Sequence, residues 1–266
     1  MKLGKVEKKS IRYALVKQYF GFIFNKIFYK RVIYQGVENI PKDKPVLLAP
    51  NHQNALMDAL ALVFSAKRTI IFLARSDIFV NKFVSGLLFF FRILPVYRIR
   101  DGKEKLKLNE AIFQKTVEVL EKNKTVTIFP EAQHIDKRHL RTLKKGVQRV
   151  AFAAAEKNDY DIDIHIVPVG IYYSNYWNFR TILQVNYGLP IAVKEFYEQH
   201  KENPAKAIIA LRDKMSEEIK KQMLDIRNLE NHDTIEDLRE ICDIPIMKAM
   251  KSVSCKKKNL KPIKKS

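Results

Sequence analysis

The sequence is poor in cysteine, poor in acid relative to base, and without an apolar run long enough to cross a bilayer. Its two cysteines, Cys242 and Cys255, come late and lack metal-ligand spacing. They are read as plain reduced thiols, as in a cytosolic compartment. The longest apolar stretch, from Phe83 to Val96, is broken by Ser85, Gly86, Arg92 and Pro95, too short for a span. Lys2, Lys5, Lys8, Lys9 and Arg12 open the chain, but no apolar core and small-residue cleavage site follow them. The expected location is therefore the cytoplasmic face of a membrane, held peripherally, with no transmembrane segment. No internal repeat, long linker, zinc-finger spacing or RNA-binding aromatic signature is present.

What the chain has is base. Lysine and arginine number 49 against 29 acids, a net charge of +20. Such a surplus predicts attraction to a polyanion: nucleic acid, anionic lipid or an acidic substrate. The cations gather toward the termini, which weighs against a nucleic-acid-binding protein, and residues 251–266 form a basic tail, read either as a solvated tail or as a cluster that finds anionic lipid. With 266 residues, 47% hydrophobic and 11% aromatic, the chain can bury one sizeable core and is not a disordered protein.

Apolar runs and helical stripes alternate. Residues 1–35 carry aromatics with flanking cations, compatible with an amphipathic helix or helix pair, either lying in a membrane interface or packed on the core. Strands are expected at Arg31–Ile40, Pro45–Pro50, Thr69–Ala74, Ile93–Arg100, Thr125–Glu131, Ile162–Gly170 and Thr181–Tyr187, with helices after Asn54, over Lys103–Asn123 and over Leu143–Lys157. This predicts an α/β domain over residues 36–200, with a mostly parallel central sheet flanked by helices. A C-terminal helical extension over 201–250 follows, opened by the Asn203-Pro204 cap. Trp177, among Tyr172, Tyr173 and Tyr176, is expected in the core. His165 is read as a core or sheet-face residue, and His139, His200 and His232 as surface.

Polar residues cluster where apolar strands end, and ligands of α/β sheets bind beyond the carboxyl ends of the strands. His52 follows Pro45–Pro50 at a strand-to-helix turn. Asn54 is expected to cap the next helix, which puts Asp58 in its first turn, leaning back toward the imidazole. A histidine oriented by a carboxylate is a general base awaiting a hydroxyl. Arg98 and Arg100 end another strand, suited to phosphate through paired, charge-assisted hydrogen bonds. Glu131 ends a third.

In this order these segments resemble the glycerophospholipid acyltransferase family, over roughly residues 45–190. Asn51-His52 through Asp58 is similar to the family's His-Asp block, and Ile93–Arg98 to the block whose arginine holds glycerol phosphate. Phe129-Pro130-Glu131 with Leu143-Lys144-Lys145-Gly146 is similar to the third block, whose carboxylate lies in the acceptor pocket. Val167-Pro168-Val169 is similar to the fourth, on the acyl-donor side. Two departures stand out. Five residues, Gln53–Met57, separate His52 from Asp58 where four are usual. Ala132 and His134 replace the glycine and arginine of Phe-Pro-Glu-Gly-Thr-Arg, so a left-handed turn at Ala132 would be strained. Arg138, Arg141 or Lys144 are candidate substitutes for that arginine.

The resemblance implies an O-acyltransferase of phospholipid biosynthesis. It would move a fatty acyl group from acyl-CoA or an acyl carrier protein to a glycerol phosphate or lysophospholipid, without metal or cofactor. It implies His52 and Asp58 as catalytic residues, with Asn54, Arg98, Arg100, Glu131, His134 and Lys144 at the substrate. Phe129, Pro130 and Pro168 would be structural or on the donor side. The expected partners are these substrates and an anionic membrane surface, with no nucleic acid. A catalytically weak lipid-binding member of the family, or a basic nucleic-acid-binding protein, are the competing readings.

Overall fold

Val46-Leu47-Leu48-Ala49-Pro50 is apolar at every position and buried at every position, the pattern of a strand covered on both faces. In the computed structural model, which describes residues 11–66, 68–97, 103–133, 135, 137–239 and 241–242, this strand lies mid-sheet. In chain order the elements are α1 (Ile11–Phe22), a π-helical stretch Ile23–Phe28, β1 (Arg31–Gln35), β2 (Val46–Pro50), α2 (Ala55–Ser65) and β3 (Ile70–Arg75). Then come α3 (Lys82–Phe90), β4 (Ile93–Val96), α4 (Lys103–Glu121), β5 (Thr125–Ile128) and α5 (Gly146–Lys157). Last are β6 (His165–Tyr173), β7 (Ile182–Tyr187), β8 (Ile191–Ala192), α6 (Tyr197–Glu202) and α7 (Pro204–Gln222).

The sheet order is β1-β7-β6-β2-β5-β3-β4, with β8 beside β6. Strands β6, β2, β5, β3 and β4 run parallel, while β7 and β8 run antiparallel to β6 and β1 parallel to β7. The sheet is thus mixed but mostly parallel, as expected. Alternation along β2 divides the core: Leu47 and Ala49 pack with α4, α5 and α7, and Val46 and Leu48 with α2 on the other face. Pro168 sits inside β6, where a missing N–H would normally break a ladder. It falls where the neighbour of β6 changes from β8, paired at His165 and Ile166, to β7, paired from Val169 onward.

The Asn203 side chain accepts from Lys206 N at 3.0 Å and Pro204 opens α7, the expected cap. The boundary expected near residue 200 is absent from the packing. Ala207, Leu211, Met215 and Ile219 of α7 are buried in the same cluster as Leu47 and Ile166, and the compact unit runs to Asp225. At Gly170 a Cβ would lie 2.1 Å from the Gln222 carbonyl oxygen, so only glycine lets the end of α7 come this close to β6. The residues from 226 form a second unit, helical over 232–239.

Three sequence expectations need correction. Trp177 is 77% exposed rather than core, because the chain has by then left β6, the strand that buries Tyr173. His200 is buried, stacked on Phe152 at 3.9 Å and hydrogen-bonded to the Tyr160 hydroxyl, and burial pushes its pKa down. It shares the inner face of α6 with Tyr197, three residues away, which the polar local sequence hides. His232 is also buried. The N-terminal segment packs on the core in part: Tyr13 and Phe24 are buried, while Ile11, Leu15, Tyr19 and Phe22 face outward.

Candidate functional site

Beyond Pro50 the chain leaves the sheet between the carboxyl ends of β5 and β6. Asn51 secures that exit. Its buried side chain accepts from Ile171 N at 2.6 Å and donates to Ile171 O at 3.1 Å, extending the ladder by one amide. His52 follows with its ring stacked on Phe129, centroids 4.1 Å apart. Its Nδ1 lies 2.8 Å from Asp58 Oδ2. A carboxylate only accepts, so Nδ1 carries the proton and the lone pair is on Nε2.

Asp58 is fully buried and takes four hydrogen bonds. Oδ2 accepts from His52 Nδ1, Gln53 N at 2.9 Å and Asn54 N at 2.8 Å, and Oδ1 accepts from the Tyr173 hydroxyl at 2.8 Å. The two backbone donors immediately precede Ala55, the first residue of α2, so the carboxylate also ties down the turn that enters the helix. Asn54 occupies the cap position without a side-chain cap bond; its amide donates instead to Tyr176 O at 3.2 Å. Ala55, at φ 40°, lies in the left-handed region inside the five-residue spacer and turns the chain into α2. The longer spacer is accommodated there, and His52 and Asp58 meet.

Glu131 lies just past β5, nearly inaccessible. Oε1 accepts from His52 N at 2.7 Å and Oε2 from Arg141 N at 3.0 Å. Both oxygens hold backbone, and the carboxyl does not line the adjoining cavity. Burial, outweighing the two amide donors, pushes its pKa up to about 7. Raised above the unfolded value of 4.5, this group costs stability as pH rises from about 4.5 to about 7, since only the folded carboxyl stays protonated there. A Glu131→Gln variant can accept only one of the two amides, and should lose about 1–3 kcal/mol at low pH. The wild type's stability should fall relative to the variant's across that window, by on the order of 3 kcal/mol. Denaturant midpoints of both proteins at either end of the window measure it, and a constant difference would refute the titration.

Ala132, next in chain, has φ 62°. The alanine that replaces the family's glycine does adopt the left-handed turn. Ala132→Gly should therefore gain about 1 kcal/mol. A thermal melt would register this as a Tm about 2–4 °C higher, and a lower Tm would show that the alanine is unstrained.

The loop after Glu131 is pinned from behind. Arg138 is buried between Tyr172 and Tyr176, its guanidinium 4.7 and 5.0 Å from their ring centres, and donates to Tyr173 O at 2.6 Å. Gln53 donates to Lys137 O and accepts from the Tyr176 hydroxyl. Asp225 accepts from Leu140 N at 2.9 Å and pairs with His139. The Arg138 side chain thus ties the loop to the end of β6, and of the candidate substitutes only Lys144 lines the cavity.

That cavity, about 1260 Å³, opens beside His52. It runs between β3, β4, β5 and helices α2, α3, α4 and α5, with Ala59, Phe72, Ile93, Phe113, Ile128 and Val150 among its apolar walls. Phe129, Pro130 and Ala132 line it beside the imidazole, and Arg75, Asp77, Lys144 and Arg149 supply charge. Its volume exceeds that of a usual small-molecule pocket, and its lining suits a long apolar ligand. Asn109 on its wall clamps the end of β4, accepting from Tyr97 N at 2.8 Å and donating to Tyr97 O at 2.7 Å. Arg98 and Arg100, which follow, and His134 lie outside the described residues. Pro168 is buried in β6, away from the cavity lining. Among the described residues no group of His, Cys, Asp and Glu could hold a metal ion.

Sequence reasoning missed Asn51, Gln53, Tyr173 and Tyr176. Tyr173 ends β6 and meets the same strand-end criterion that picked out His52, Arg98 and Glu131.

The fold and site together define an α/β protein with a carboxylate-oriented histidine at the carboxyl edge of its sheet, opening on a large, mostly apolar cavity. The chain belongs to the Acyltransferase family, whose model matches residues 31–172. Over 163 residues it is 26% identical to the 1-acyl-sn-glycerol-3-phosphate acyltransferase of Borreliella burgdorferi, covering 61% of this chain and 59% of that one. Over 93 residues it is 31% identical to the Glycerol-3-phosphate O-acyltransferase 1 of Saccharomyces cerevisiae, covering 35% of this chain and 12% of that one. The chain therefore spans about three-fifths of the bacterial relative and a small part of the yeast one. Its fold resembles the crystal structure of the 1-acyl-sn-glycerophosphate (LPA) acyltransferase, PlsC, from Thermotoga maritima, with a TM-score of 0.53 at 19% identity, over 78% of this chain and 79% of that one.

Proposed function

We propose that this protein is an O-acyltransferase of phospholipid biosynthesis, moving a fatty acyl group from an acyl thioester to the hydroxyl of glycerol phosphate or a lysophospholipid. The observation that carries the reading is the His52–Asp58 pair, 2.8 Å apart, whose imidazole lines a mostly apolar cavity of about 1260 Å³, room for an acyl chain.

In this mechanism His52 Nε2 takes the proton of the acceptor hydroxyl, while Asp58 holds the ring and offsets the imidazolium charge. The acceptor oxygen attacks the thioester carbonyl carbon, giving a tetrahedral intermediate. That intermediate collapses with cleavage of the C–S bond, and the leaving sulfur takes the proton from His52. The new ester and a free thiol result, and no acyl-enzyme is formed. Glu131 and Tyr173 position His52 and Asp58. Lys144, with Arg98 and Arg100 after β4, is assigned to the acceptor's phosphate, where cations are matched to the ligand. The donor is acyl-CoA or acyl carrier protein, both acidic partners for a chain of net charge +20.

The acceptor works at an anionic membrane surface. Among the described residues no helix is long and apolar enough to cross a membrane. The outward apolar residues of α1 and the exposed Lys26, Lys30 and Arg31 beyond it suit the interface instead. One radiolabelled acyl thioester offered with a panel of acceptors, read by lipid chromatography, tests the reading. Label appearing in a phosphate-bearing glycerolipid supports it, and thioester stable against every acceptor overturns it.

A further inference from the structure

Helix α3, Lys-Phe-Val-Ser-Gly-Leu-Leu-Phe-Phe, is inverted relative to a surface helix: its outward stripe is apolar. Phe83, Gly86, Leu87 and Phe90 recur at helical spacing and face out, with Phe83 82% exposed, Leu87 48% and Phe90 37%. No residue of α3 is fully buried, and Ile78 and Val80 just before it are exposed as well. A stripe of this size on one helix marks an interaction surface rather than scattered apolar residues.

Two neighbours say what it meets. Leu88, on the other side of α3, lines the cavity beside His52, as do Ile78 and the exposed Leu56. The helix is therefore a thin apolar wall between cavity and surroundings. Also, Phe90 packs edge-on against Tyr13 at 5.9 Å and Arg92 lies over the same ring at 4.4 Å, which joins α3 to α1. Helix α1 shows a second outward apolar stripe of Ile11, Leu15, Tyr19 and Phe22. Exposed cations stand nearby in sequence: Arg12 on α1, Lys26 and Lys30 after it, and Lys82 at the start of α3. A chain of net charge +20 opposes its own second copy across such a face and is drawn to an anionic one.

We propose that α3 seats its Phe83–Leu87–Phe90 stripe in the surface of an anionic lipid bilayer, so that a lipid's acyl chain passes between the hydrocarbon and the cavity across this helix. The inference rests on the acyl-transfer reading for what the cavity holds. The surface itself is argued from exposure and charge alone. It commits to a bilayer, and a protein partner or a second copy would be different outcomes.

The test uses the full chain, in which Trp177 is the single tryptophan. In a Trp177→Phe background, Phe83→Trp places an indole on the stripe with little change of bulk. On mixed phosphatidylcholine–phosphatidylglycerol vesicles its emission should fall about two-fold or more when the acyl chains are brominated, as for an indole at the headgroup–acyl boundary. A Phe83→Asp/Leu87→Asp variant should lose roughly 100-fold in vesicle affinity, since each large side chain withdrawn from hydrocarbon is worth about tenfold or more. With a short-chain thioester and a monomeric acceptor it should still turn over like wild type, because neither residue lines the cavity. If the introduced indole stays unquenched on a protein that co-sediments with the vesicles, the proposal is overturned. A lipid-independent doubling of mass that Leu87→Asp abolishes overturns it too. Failure of the wild type to turn over any substrate, with the introduced indole quenched, would refute the acyl-transfer reading and leave the bilayer contact standing.

Discussion

Replacement of His52 by alanine should lower acyl transfer by about 10²–10⁴, the usual worth of a positioned base, and leave the fold nearly untouched. The two halves of this expectation come from the same hydrogen bonds. The imidazole is the carboxylate-oriented base of the proposed mechanism, so its loss removes the proton acceptor. Asp58, however, keeps three of its four donors: the amides of Gln53 and Asn54 and the hydroxyl of Tyr173. The buried carboxylate is not stranded, which is what would otherwise cost several kcal/mol. Phe129 loses its stacking partner, worth about 1 kcal/mol. The variant should melt within a few degrees of wild type and still bind the acyl donor, because the cavity walls beyond His52 are unchanged. Turnover with unaltered rate would remove His52 from the chemistry. A collapsed melt with lost turnover would reassign it to structure.

Much of this site is legible along the chain because its local rules are strong. An apolar run closed by Pro50, a polar turn and an apolar helix place His52 and Asp58 within six residues, and the backward lean of a helical side chain brings them together. At Ala132 the expectation comes from the resemblance instead: where the family has glycine, the alanine takes the left-handed φ of 62°. The sheet follows from strand-helix alternation, and the antiparallel entry of β7 does not, since nothing in Ile182–Tyr187 records direction.

What escapes is carried by pairs remote in sequence. Asn51 bonds to Ile171, 120 residues on, and Tyr173 to Asp58, 115 residues back. A tyrosine at a strand end is only a tyrosine until the sheet order puts β6 beside β2. Glu131 is read as facing a ligand because it follows a strand, yet the loop beyond it folds back and gives it two amides to hold. Trp177 fails for the opposite reason: its aromatic neighbours suggest a cluster, but the strand that buries Tyr173 ends before it. Strand ends locate the site well, and which of their side chains face the ligand depends on loops that local sequence does not encode.

Asp58→Asn should cost about 10²–10³ in turnover while keeping the site's shape, and the reason is the crowding around Oδ2. Three N–H donors converge on that oxygen, from His52, Gln53 and Asn54, and one hydroxyl on Oδ1. An asparagine can satisfy all four only by turning its carbonyl oxygen to the three amide-type donors and its NH₂ to Tyr173, whose hydroxyl can accept as well as donate. The imidazole then keeps its tautomer, unlike triads in which an asparagine amide confronts the ring and a loss of about 10⁴ follows. What disappears is the negative charge opposite the imidazolium that forms in the transition state. Four charge-assisted bonds also become neutral ones, at about 1 kcal/mol each or less, which should lower Tm by roughly 5–10 °C. Because the pair acts as one device, the double variant His52→Ala/Asp58→Asn should be no slower than His52→Ala alone. Rates that multiply in the double variant would mean that the carboxylate works through something other than the histidine. A loss for Asp58→Asn equal to that of His52→Ala would mean that the amide turned the other way, with Tyr173 failing to hold its NH₂. Tyr173→Phe in the Asp58→Asn background leaves in place the three N–H donors that fix the carbonyl oxygen, so it should lower the rate little below that of Asp58→Asn alone.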